Sequence, residues 1–142
     1  MNKLFCVVAF SVISCMSICA SAATPEILSN GFTAYKEGGA KPALEAWIKG
    51  SGIDGSKEAL AQANMLVQIG EYYGKYLSYE LVKSNKISKN TNVYLLVINY
   101  EKGSVFAKFF TYVTPGGKEV TQTFNFNTNA DLVWPSNAIY GS

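Results

Sequence analysis

Two carboxylates and a group of tyrosines are the residues of this chain best suited to chemistry. Glu80 and Asp131, each with a partner among Tyr79, Tyr94, Tyr100 or Tyr112, could form a tyrosine-plus-carboxylate site. Burial raises the pKa of such a carboxyl group, and a tyrosine hydroxyl can donate to a developing oxyanion. Other chemistries are excluded by residue type. The chain has no histidine, so it has no imidazole base and no Ser-His-Asp arrangement. Its cysteines, Cys6, Cys15 and Cys19, all precede Ala20, so the rest of the chain has neither histidine nor cysteine and no zinc or copper site is expected there. No G-x-x-x-x-G-K-S/T loop occurs. Gly50-Ser51-Gly52-Ile53-Asp54-Gly55 has G-x-G-x-x-G spacing but follows an expected helix and not a strand, so it gives no support to a dinucleotide loop, and Asp54-Gly55 lacks the oxygen ligands of a calcium loop. No metal and no cofactor is expected.

Each carboxylate also has a structural reading. Glu80 alternates against Leu77, Tyr79 and Leu81, which turns it to solvent. Asp131 follows Asn127-Thr128-Asn129 and would cap a last turn before Trp134-Pro135. Pocket geometry discriminates: a carboxylate buried beside a tyrosine hydroxyl favours an enzyme, and solvent-facing carboxylates count against one.

Aromatic residues are the second signal. Trp47, Phe106, Phe110, Tyr112, Phe124, Phe126 and Trp134 could line an apolar pocket under a curved sheet. Ligand sites are mostly apolar with few polar groups. The competing reading makes the same rings plain core.

The elements that must position these side chains fall into two halves. Thr24 reads as an N-cap with Pro25 at the first helical position, and Ile27, Leu28, Gly31, Phe32 and Tyr35 share one face until Gly38-Gly39. A second helix over 41–49 turns Leu44, Trp47 and Ile48 inward. A third starts near Ser56 and ends at Tyr73-Gly74, with Leu60, Ala63, Val67 and Gly70 in one apolar row and Leu66, Ile69 and Tyr73 widening it. The period then changes to two. Strands are expected over 76–86, 92–100, 104–113 and 118–128, joined by Lys89-Asn90, Glu101-Lys102-Gly103 and Pro115-Gly116-Gly117. Short loops force antiparallel neighbours, so the fold class is α+β: N-terminal helices packed on a curved four-stranded antiparallel sheet. The strand over 92–100 is apolar on both faces. Helices can cover one face, and an apolar patch on the other usually marks an interface, which predicts a homodimer through the sheet. Lys108 reads as a strand-face pair partner or an edge charge.

Met1-Asn2-Lys3, the apolar run from Leu4 to Cys19, and Ala20-Ser21-Ala22 form a secretory signal in the usual order. The run is short for a membrane span, which needs about 20 apolar residues. Cleavage after Ala22 gives residues 23–142 as one exported, cysteine-free domain, in the periplasm or outside the cell, with no stable membrane anchor. An uncleaved anchor and acylation of Cys19 are the alternatives; Ile18 before that cysteine is bulky where small residues are wanted. The charge is lysine without arginine, nearly balanced by acids, so no basic stripe indicates nucleic acid.

Several stretches carry a likeness to a known family. They are Ala43-Leu44-Glu45-Ala46-Trp47-Ile48-Lys49-Gly50, Tyr72-Tyr73-Gly74-Lys75-Tyr76, Asn99-Tyr100-Glu101-Lys102-Gly103, Phe106-Ala107-Lys108-Phe109 and Phe124-Asn125-Phe126-Asn127-Thr128. In these stretches, and in having helices before a curved sheet, the chain resembles small exported bacterial proteins of the nuclear transport factor 2-like superfamily. The resemblance implies a cone-like α+β barrel. It leaves activity open, because that superfamily holds isomerases, dehydratases and hydrolases beside proteins that only bind or dimerise. The leading expectation is a non-catalytic exported domain that takes a small apolar ligand or a protein partner, or dimerises. The alternative is a small-molecule isomerase, dehydratase or hydrolase built on Tyr and a carboxylate.

Overall fold

A computed structural model describes residues 23–141. The expected signal peptide, its cleavage site and all three cysteines lie outside the described residues. Helices α1 (Glu26–Gly38), α2 (Ala40–Ile48) and α3 (Lys57–Tyr73) precede strands β1 (Tyr76–Lys86), β2 (Thr91–Tyr100), β3 (Gly103–Val113) and β4 (Glu119–Asn127). A 3-10 turn (Ala130–Leu132) and a short helix α4 (Ser136–Tyr140) end the chain. The fold is α+β, as the change of period predicts. The four strands pair in chain order, β1-β2-β3-β4, all antiparallel. The sheet is curved but open: β1 and β4 are free edges, so it does not close into the cone-like barrel that the resemblance implies.

The helix ends follow local chemistry. Pro25, not Thr24, is the cap residue of α1, and its carbonyl accepts from the Leu28 and Ser29 amides. Ser56 caps α3 with its hydroxyl, which accepts from the Ala59 amide at 3.1 Å. Gly74, at φ 84°, closes α3 in a conformation that side chains resist.

The face of α3 differs from expectation. Its buried row is Ala59, Ala63, Leu66 and Ile69, while Leu60 and Val67 are 55% and 45% exposed. The two alanines carry little bulk, so they form the seam against the neighbouring elements and turn the larger pair outward. A β-bulge changes β1 in the same way. The register slips between Tyr76 and Ser78, so Tyr76 and Tyr79 share the helix-facing side and Leu77 is 59% exposed.

Trp47 sits at the centre of the helix-facing core and is fully buried. Phe32, Phe109 and Phe126 surround it at centroid distances of 5.0, 5.3 and 5.6 Å. Its Nε1 donates to the Leu28 carbonyl at 3.2 Å. The Thr121 hydroxyl donates to the Trp47 carbonyl at 2.6 Å, which supplies a partner to an acceptor in the last turn of α2. Gly31 permits this arrangement, because a Cβ there would fall inside the indole ring.

The other face of the sheet has its own cover. Leu95, Val133 and Trp134 form a second buried cluster, with Val93, Val97, Phe106, Ala138 and Ile139 packed against it. The C-terminal segment therefore folds back as a strap across the open face. Trp134 fixes it by donating Nε1 to the Ala107 carbonyl at 2.9 Å and by meeting Phe106 edge-on at 5.1 Å. This strap meets, within one chain, part of the need for cover that the doubly apolar β2 creates. Among the described residues no helix is long and apolar enough to cross a membrane.

Candidate functional site

The rings expected to share one pocket are divided by the sheet. Trp47, Phe124 and Phe126 are buried in the helix-facing core, where rings pack against rings. Phe106, Phe110 and Trp134 lie on the strap side. The single pocket is therefore corrected to a filled core and a separate groove, because alternate residues of a strand point to opposite faces.

That groove, of about 620 Å³, runs between the open face and the strap. Val93, Leu95 and Phe110 form an apolar floor, and Leu132, Val133 and Trp134 form one wall. Lys83 and Lys108 supply its cations, and Asp131 lies at its rim. Strand register sets these positions. Lys83 pairs with Leu95, and Leu95 pairs with Lys108, so the two lysines flank one leucine in a row across three strands. Lys108 is half-buried, with Nζ 5.8 Å from the Phe110 ring centroid. It lies on an interior strand, which removes its reading as an edge charge.

The expected carboxylates are both exposed. Glu80 accepts from Asn99 Nδ2 at 2.8 Å on the open face. Asp131 accepts the Tyr140 hydroxyl at 3.0 Å on each oxygen. It does not cap the 3-10 turn; Asn129 does, accepting from the Asp131 amide at 3.0 Å. Tyr112 is 36% exposed and lies outside the groove lining. Tyr79 stacks on Phe32 at 3.9 Å. Tyr100 shares a buried hydroxyl contact of 2.8 Å with Tyr35, and burial pushes both hydroxyls' pKa values up.

One residue outside the expected set does join a carboxylate to a tyrosine. Glu119, half-buried at the start of β4, accepts from the Tyr94 hydroxyl at 2.9 Å and from Asn92 Nδ2 at 3.1 Å. The Thr111 hydroxyl donates to the same oxygen, Oε1. Burial, followed by the bond to Glu119, pushes the Tyr94 hydroxyl up to about 12. Beside this cluster is a hollow of about 340 Å³ lined by Glu26, Ile27, Asn30, Lys118 and Glu119. Hairpin register carries the signal for it: the loop after β3 sets Val113 opposite Glu119 and Thr111 opposite Thr121.

No protein-family model, curated protein or solved structure matches this chain. Two places in the fold are candidate sites, the groove and the Glu119 cluster. The groove offers apolar surface, positive charge and a wall anchored at Trp134. The Glu119 cluster offers three donors that converge on one carboxylate oxygen, which ties β2, β3 and β4 together at one end of the sheet.

Proposed function

We propose that this protein is an exported binding domain whose site is the groove between the open sheet face and the C-terminal strap. The groove itself carries the reading: about 620 Å³ with an apolar floor, edged by Lys83, Asn85, Lys108, Asp131 and Asn137, falls in the size range of small-molecule sites. The nuclear transport factor 2-like relationship belongs to the same proposal, supported by the order of helices before a curved meander. Because the helix-facing side is packed with rings, this reading sets the ligand on the opposite side. A homodimer through the open face would have to sit over or displace the strap, so the ligand reading is preferred.

The enzyme reading is favoured by one observation, the Glu119–Tyr94 contact beside a hollow. It is the weaker of the two. The Tyr94 hydroxyl already donates to Glu119, so its proton is not directed at a developing oxyanion. The convergence of three donors on Oε1 suits a strut between strands.

Native mass spectrometry of the protein isolated from its own host tests the proposal. The expected spectrum is a monomer beginning at Ala23 that carries a small-molecule adduct. A chain that retains residues 1–22 would overturn export with cleavage. A bare dimer would overturn the ligand reading in favour of an interface.

A further inference from the structure

The charges in the groove narrow the class of ligand it can take, provided that the groove is the binding site. The register places Lys83, Leu95 and Lys108 side by side on one face of the sheet. Adjacent strands are about 4.8 Å apart, so the two lysine backbones stand roughly 10 Å from each other with the leucine between them. Leu95 itself is covered by Val133 and Trp134, so the long lysine stems carry the ammonium groups to the groove beside it, with Lys108 Nζ 5.8 Å from the Phe110 ring centroid. The next row on the same face continues the floor with Val93 paired to Phe110.

Asp131 shares the groove lining with the two lysines, and Glu80 lies one row along; each accepts from a neutral donor. Asp131 gives both oxygens to the Tyr140 hydroxyl. Glu80 accepts from Asn99. Two like charges over an apolar floor, one of them half-buried, repel each other, and an anion between them relieves that repulsion. With Asp131 counted, the lining holds two cations and one carboxylate, so a purely apolar ligand would leave one positive charge in excess. A cation would add to the repulsion.

We infer that the groove takes a small amphipathic anion, a carboxylate on an alkyl or aryl body. Its head group lies in the groove between Lys83 and Lys108, and its body lies on Val93 and Phe110 against the strap.

Calorimetric titration with octanoate, octan-1-ol and octylammonium separates the parts of this claim, because the three share a body and differ in head-group charge. The protein used is the chain from Ala23 onward, which contains every described element. Octanoate is expected to bind at least about tenfold more tightly than octylammonium, with the alcohol between them. Lys108→Gln and Lys83→Gln should each weaken octanoate by about three- to tenfold and change octan-1-ol by less than about twofold. Added salt should weaken octanoate alone. Equal affinity for all three, unchanged by either substitution, overturns the anion and leaves the groove as an apolar site. No binding of any of the three overturns the anion and the groove reading together.

Discussion

Replacing Gly31 with alanine tests the centre of the core. The indole of Trp47 lies against the backbone of α1 at Gly31, where an added methyl group would overlap the ring. The ring has little room to move, because Phe32, Phe109 and Phe126 flank it at 5.0–5.6 Å and its Nε1 is bonded to the Leu28 carbonyl. Overpacking of a tight core costs about 1–3 kcal/mol. A displaced indole also loses a hydrogen bond worth about 1 kcal/mol. Helix propensity returns roughly 1 kcal/mol on going from glycine to alanine. The expected outcome for Gly31→Ala is a net loss of about 1–3 kcal/mol, or roughly 5–15 °C in Tm for a domain of this size. Gly70→Ala is the control. It makes the same chemical change inside α3, where nothing lies within 4 Å of the added Cβ, so it should stabilise the chain by about 0.5–1 kcal/mol. Urea unfolding followed by circular dichroism reads both variants, with equal slopes required for the comparison. If the two variants agree within about 0.5 kcal/mol, Gly31 is not a packing residue and the account of Trp47 fails.

Three further outcomes are expected from named contacts. Thr121→Val keeps the shape but removes the buried donor to the Trp47 carbonyl, and should cost about 1–3 kcal/mol in urea unfolding, against nearly nothing for the exposed Thr123→Val. Trp134→Ala should free the strap without unfolding the domain: hydrogen exchange should rise across residues 130–140 and hold in the helix-facing core, and uniform loss of protection would show that the strap is part of the global fold. Burial, followed by neighbouring groups, pushes the Tyr76 and Tyr94 hydroxyls up to about 12, so the folded state holds these protons more tightly than the unfolded chain does. Their contribution to stability is complete below about pH 10 and is lost as pH rises from there through 12; a tyrosinate absorbance titration in which every tyrosine ionises near 10 in the folded protein would contradict this.

The fold was legible where local rules act alone. The change from helical period to period two, with the turn residues between strands, placed the four strands within a residue or two of their observed ends. Leu77 and Leu60 were not legible, because a bulge and a seam of alanines decide their faces, and neither shows in hydropathy. The double apolarity of β2 correctly indicated that both faces need cover, but the strap could not be foreseen. It depends on a return of the chain, anchored by one indole hydrogen bond to Ala107, that leaves no periodic trace. The candidate site was legible in its parts. Phe110, Asp131 and Trp134 do come together in the groove. Its lysine row and the Glu119 cluster both depend on strand register, which joins residues distant in sequence.

The two readings of function point to opposite parts of the sheet, so the location of a bound ligand decides between them. The direct measurement is an amide nuclear magnetic resonance map of the chain from Ala23 onward, titrated with octanoate. Binding in the groove predicts shifts at Val93, Leu95, Lys108 and Phe110 and along 131–137, with α1, α2 and α3 unmoved. Shifts centred on Glu26, Asn30, Lys118 and Glu119 would contradict the groove and move the site to the Glu119–Tyr94 hollow.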